Sequence, residues 1–329
     1  MRKFRLRESK GKPMVSTLPN VRNLHVAKSC NLLVILVLLA EVMMLGACSV
    51  NDGIQESDNN AVRFTAGIGD LATLQGEPVT KAAGTTWDSG DAIGIFMVGN
   101  GGTTTVHTEN KQYTTTGGST FTPATGNEIF YPMDGSKVDF IAYYPYESGA
   151  TLGTPINVTI GDQNNQSAFD LLYSSGATGS KATASTPVSL TFGHKLAKLV
   201  MNTTADASVG VSSLVGMAVK INGMNAQNTL DLKTSTLGTA TDNATPIIPR
   251  TVTDGTVYDA IIMPGSYAAG MITVEFTTGT ETFTWNVGAE TFDGGNEYIY
   301  AVTLTRTGVK FTGTIKPWTT IDRGTGTAE

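Results

Sequence analysis

From residue 62 onward, apolar side chains recur at every second position over short runs, and no amphipathic helix of more than three turns can be drawn. A two-residue period puts one face of an extended chain in a core and the other in water. The pattern is clearest at 271–287: Ile272, Val274 and Phe276 alternate with polar residues, Thr278-Gly279-Thr280 turns the chain, and Phe283, Trp285 and Val287 alternate again. That is a hairpin. Further strands are expected at 62–68, 92–98, 128–131, 137–144, 156–160, 170–175, 188–194, 217–222, 228–232, 257–263, 297–305 and 309–316. Residues 69–90 read as a long loop, and 99–127, rich in Gly and Thr, as short strands and turns at best. Residues 195–203 suit either a helical face or a strand, with Thr favouring the strand. Without helical crossovers, neighbouring strands are expected to pair antiparallel. The expected class is all-β, built as sandwiches, with a domain change near residue 195: one domain over 62–194 and a second over 195–329.

Ahead of this lies Leu32–Cys48, LLVILVLLAEVMMLGAC. A basic flank, an apolar run and small residues before a single thiol form an export signal of the lipoprotein kind, with Cys48 as the lipid-bearing residue. The run holds about 16 apolar residues and is interrupted by Glu41, against roughly 20 needed to span a bilayer. Residues 1–47 are thus expected to be removed as a signal peptide, with Met14 a second candidate start, and 48–61 to serve as a polar tether. The reading is an anchored protein, not a spanning one. Of 22 Lys/Arg and 28 Asp/Glu, eight basic and two acidic residues precede Cys48, so the remainder carries 14 against 26, a net charge of −12. Such a surface argues against nucleic acid as a partner. The only other cysteine, Cys30, leaves with the signal, so core burial must supply the stability.

The sequence offers little chemistry. His107 sits in a Thr-rich stretch and reads as solvated; His194 follows an alternating strand and reads as a packing residue. Neither has metal-ligand spacing, and no nucleophile elbow or phosphate loop is present. Asp88 and Asp91 flank a turn into a strand, and Asp293-Gly294-Gly295-Asn296 reads as a tight turn too short for a calcium loop. No catalytic residue, metal or cofactor is expected, and the chain is read as a non-enzyme. Trp87, Trp285, Tyr143, Tyr144 and Tyr146 are candidate carbohydrate platforms, although their spacing favours the core.

Several segments resemble the fimbrillin family, the lipoprotein pilin precursors of Gram-negative anaerobes. They are the leader ending at Cys48, Val62-Arg63-Phe64, Thr80-Lys81-Ala82, Trp87–Phe96, Phe130-Tyr131-Pro132 with Val138–Pro145, Val188–Leu199, and Ile315-Lys316-Pro317-Trp318. The resemblance implies two tandem transthyretin-like β-sandwich domains and lipid anchoring in the outer membrane. It also implies trimming by a trypsin-like protease behind the first strand. That position reads Lys81 here, where relatives usually show arginine; Arg63 is the alternative. Trimming would release strand 62–68 and bare an apolar groove. A strand from another subunit would then fill it, with 309–316 the candidate donor through Val309, Phe311 and Ile315. The implied partners are other fimbrial subunits, the outer membrane and a host or bacterial surface ligand, and the implied location after processing is the fimbrium. A surface glycan-binding lipoprotein is the competing reading.

Overall fold

The structure, a computed structural model, describes residues 60–69, 86–209, 214–242, 244–279, 281–306 and 308–317. Cys48, with the expected signal peptide and most of the expected tether, and Lys81 lie outside the described residues. Asn60 and Ala61, placed at the end of the tether, are already packed: the buried Asn60 side chain donates to the Tyr131 carbonyl at 2.6 Å, and Ala61 bridges Phe130.

The first half contributes β1 (Phe64–Ile68), β2 (Ser89–Gly99), β3 (Val106–Thr116), β4 (Thr120–Pro123), β5 (Val138–Tyr144), β6 (Ile156–Thr159), β7 (Leu172–Gly179) and β8 (Val188–His194). All but β6 close into a barrel in the order β1-β4-β3-β2-β5-β7-β8. Where alternation alone suggests an open sandwich, β1 pairs on both sides, antiparallel with β4 and parallel with β8, and so shuts the sheet. The apolar run of β2 is explained by burial on both faces: Ile93, Ile95 and Met97 face the barrel interior, while Phe96 and Val98 belong to the core outside it. Strand β5 is split the same way, with Phe140 and Ala142 inside and Ile141 and Tyr143 outside.

Two expectations are corrected. Residues 99–127 hold an eleven-residue strand, β3, whose sequence VHTENKQYTTT has no apolar alternation. It forms because β2 and β4 offer it ladders on both sides, and only Tyr113 and Thr115 are buried. Conversely, Glu128–Tyr131 is not a strand; it makes one isolated bridge, and Pro132 has no N–H to continue a ladder.

The second half contributes β9 (Ala197–Ala205), β10 (Ala218–Asn222), β11 (Gln227–Asp231), β12 (Thr236–Leu237), β13 (Arg250–Thr253), β14 (Val257–Ile262), β15 (Gly265–Tyr267), β16 (Thr273–Thr278), β17 (Glu281–Asn286), β18 (Glu290–Phe292), β19 (Asn296–Thr305) and β20 (Gly308–Pro317). The ambiguous 195–203 stretch is strand, and the hairpin read from 271–287 is β16–β17. A five-stranded sheet, β13-β14-β9-β19-β20, shares one apolar core with the three-stranded sheet β10-β16-β17. Smaller sheets, β12-β11-β6 and β15-β18, complete this body. Among the described residues, helix is confined to short 3-10 turns at Gln163–Ala168 and Lys181–Thr183.

The two bodies exchange chain three times. After β5 the chain leaves the barrel, pairs β6 with β11, returns as β7, and leaves for good between β8 and β9. Here the buried Gln163 side chain donates to the Ile261 carbonyl at 3.0 Å and accepts from its N–H at 2.8 Å. Gln166 reaches Asp259, which also takes two bonds from Arg250 and lies 3.6 Å from the Lys198 ammonium. Polar groups this deep need such partners, although the buried Gln166 Oε1 has none.

Candidate subunit-assembly site

The barrel's closing strand is held by apolar burial and by ladders on both sides. Val62, Phe64, Ala66 and Ile68 are all buried. Phe64 meets Tyr113 and Phe140 edge-on, with ring centres 5.0 and 5.1 Å away. Full burial of a side chain such as Val, Phe or Ile stabilises by about 1.5–3 kcal/mol. The Trp87 indole N–H donates to the Ala66 carbonyl at 3.0 Å, and its ring packs against Phe121, Tyr144 and Phe192. Backbone bonds run from Val62 to Ile129, Ala66 to Ser119, Gly69 to Phe192, and from Val188 back to Arg63. Lifting β1 away would bare Phe121, Leu190 and Phe192 and leave the edges of β4 and β8 unpaired.

Of the two processing candidates, only Arg63 is described. Its guanidinium donates to the carbonyls of Ala184 and Ser185, and its backbone carbonyl accepts from Val188. A protease must draw its target into an extended, unpaired conformation, and these bonds oppose that at Arg63.

Towards the other end of the chain, β20 is the outer strand of its sheet and, among the described residues, pairs only with β19, from Asn296↔Pro317 to Thr305↔Gly308. The predicted donor residues Val309, Phe311 and Ile315 share one face. Val309 is partly buried against the core, but Phe311 is 45% and Ile315 60% exposed. Phe311 lies over Trp285 at 4.7 Å and Tyr300 at 6.3 Å. Large apolar side chains on an open sheet edge are an unfinished interface.

The aromatic candidates for a glycan platform are mostly core. Trp87, Trp285, Tyr143 and Tyr144 are buried, and Tyr146 is half-buried. Burial pushes the Tyr113 and Tyr143 phenols up to about 12. Asp91 shapes the turn into β2: it accepts from Asp88 N–H at 2.7 Å and from the Tyr144 hydroxyl at 3.0 Å. Burial raises its carboxyl above the usual range. His194 is a packing residue with a partner the sequence did not signal, the buried Asp170 at 2.9 Å. Their 24-residue separation has no motif; only the adjacency of β7 and β8 brings them together. His107 is exposed, on β3 and not in a loop. Asp293 takes part in the expected turn, its N–H donating to Tyr298. Among the described residues no three His, Cys, Asp or Glu side chains cluster to hold a metal.

Solved structures share this architecture. A protein from Bacteroides uniformis assigned to cell adhesion superposes with a TM-score of 0.65 at 28% identity, covering 79% of this chain and 98% of that one. A second, from Bacteroides ovatus and also assigned to cell adhesion, gives 0.60 at 22% identity over 80% and 99%, a likeness of fold alone. The class defined by the fold is therefore the all-β architecture of these bacterial proteins. Residues 80–318 match the fimbrillin-like family, and the chain belongs to that family. A Bacteroides uniformis relative assigned as the fimbrium subunit Fim1C is 33% identical over 305 residues, 89% of this chain and 97% of the relative.

Proposed function

We propose that the protein is a fimbrial subunit or fimbrial adhesin precursor that assembles by strand donation. The observation that carries the reading is β20, an outer strand whose Phe311 and Ile315 are 45% and 60% exposed. Family membership supports it, as does the relative assigned as a fimbrium subunit. In this reading Cys48 carries lipid that holds the precursor in the outer membrane. A trypsin-like protease cuts after Lys81, and β1 leaves with the lipid. Two transthyretin-like bodies remain, and Val309, Phe311 and Ile315 of one subunit enter another's groove. Partners are fellow subunits, and the place of action is the fimbrium on the cell surface. The role is structural and adhesive, not enzymatic.

N-terminal sequencing of protein sheared from native cell surfaces tests the reading. A start at Ala82 in high-molecular-weight material is expected. Protein that is always monomeric and begins with acylated Cys48 overturns it.

A further inference from the structure

Four segments of the second body meet around a cleft of about 440 Å³ that lies apart from both β1 and β20. They are the link from β10 into β11, the residues that follow β12, the entry to β15, and the turn after β18. The volume falls in the range of small-molecule sites, roughly 300–1,000 Å³. We propose that this cleft binds a neutral sugar, with Asp293 and Asn228 taking its hydroxyls. The inference goes beyond strand donation and does not rest on it, because all four segments belong to one chain.

The Asp293-Gly294-Gly295-Asn296 turn, too short to hold calcium, presents a carboxylate in a fixed place. The Asp293 N–H donates to the Tyr298 hydroxyl at 2.6 Å, and the Gly295 N–H to the Leu196 carbonyl at 2.8 Å. Gly294 is pressed against the Lys195 carbonyl, and a Cβ there would collide with it. Asp293 itself is exposed, and among the described residues no hydrogen bond or ion pair engages its carboxylate. Two free carboxylate oxygens can accept from two neighbouring hydroxyls at once. Asn228 spends its carbonyl oxygen on the Thr229 N–H at 2.7 Å, which leaves its NH2 to donate. On the rim the Ser266 and Thr291 hydroxyls pair at 2.9 Å, and each retains capacity for a further partner. Leu237, Ala240 and Pro264 give the same cleft apolar walls for the C–H face of a sugar ring.

Charge separates the ligand classes. Asp293 is the single charged side chain among the described residues that line the cleft, so an anion meets repulsion and no cation. A cationic ligand is served best by several carboxylates or an open aromatic face, and the Tyr267 and Phe292 rings are buried. Amides and hydroxyls that both donate and accept suit a ligand whose own hydroxyls do both.

Saturation-transfer NMR on the untrimmed full-length chain tests the inference. The probes are glucose, galactose, mannose and N-acetylglucosamine at millimolar concentration, with lysine methyl ester as a cationic control. At least one sugar is expected to bind. Asp293→Ala should weaken that binding tenfold or more. So should Thr239→Trp, which places an indole in the cleft from an exposed rim position. Thermal melts show which variants fold. In the parent chain the same sugar should shift the Leu237 methyl signals, a readout that needs no variant. Weakened binding in either folded variant, or the Leu237 shift, supports the inference. No sugar bound by the parent, sugar bound without the Leu237 shift and unweakened in the folded variants, or capture of the lysine ester alone overturns it. Strand donation stands or falls separately, since every measurement is made on the unassembled chain.

Discussion

At the residue scale, two phenylalanines with closely similar neighbours in sequence have opposite weights. Phe64 is fully buried between Tyr113 and Phe140, so Phe64→Ala should cost about 3–5 kcal/mol. Phe311 is half exposed, and Phe311→Ala should cost under about 1.5 kcal/mol in the isolated subunit, since little area leaves water. Denaturant melts of the two variants check the contrast. Asp91 yields a prediction in pH. Its folded carboxyl titrates higher than in the unfolded chain, so its contribution is greatest below the unfolded value of 3.8 and is lost as pH rises through the folded value. Asp91→Asn removes the charge but keeps one acceptor oxygen where Asp91 uses two, for Asp88 N–H and for the Tyr144 hydroxyl. Its deficit in melting temperature relative to the parent should be smaller at pH 7, where the parent carries a buried charge, than at about pH 3.5, where the parent's carboxyl is protonated. The buried tyrosines act at the other end of the scale. Tyr113 and Tyr143 hold their protons to about 12, against 10 for the model phenol. The unfolded chain releases those protons first, so stability is lost as pH rises from 10 towards 12. Ultraviolet titration should show late phenolate absorbance that arrives together with unfolding.

At the element scale, what could be read from sequence depended on how completely one face is buried. Strand β8, with Val188, Leu190 and Phe192 inward, matches its expected span of 188–194, and the β16–β17 hairpin was equally plain. Both have one apolar and one polar face. Strand β3 was missed because its neighbours hold it by backbone bonds while most of its side chains face water. The short β12, β15 and β18 were missed because they carry two or three residues each and no period. Of the candidate site, the apolar residues 309, 311 and 315, proposed as donors, were visible as alternation. The edge position that leaves them exposed was not, because it depends on which strands stand beside β19. Gly313 belongs at this scale too. A Cβ there would lie 2.9 Å from the Tyr300 ring, so Gly313→Val should loosen β20 from β19. Hydrogen exchange should quicken across 308–317 by tenfold or more, with the barrel amides unchanged.

At the scale of the whole molecule, the barrel and the second body are joined by more than a linker. Three passes of chain cross between them, and Gln163 fastens one crossing to Ile261 through both of that residue's backbone groups. The outer faces of β2 and β5 share a core with β6 and β11. Unfolding one body should therefore drag the other, and calorimetry should give a single transition with equal van't Hoff and calorimetric enthalpies. Two separate peaks would show that the crossings do not couple them.

Those three crossings also bear on mechanics. A bead-and-thread chain yields to tension at its threads, but this one has no slack thread at its waist. Each copy should transmit a pull as a short stiff strut, and any bending in an assembled filament would fall at the joints from one copy to the next.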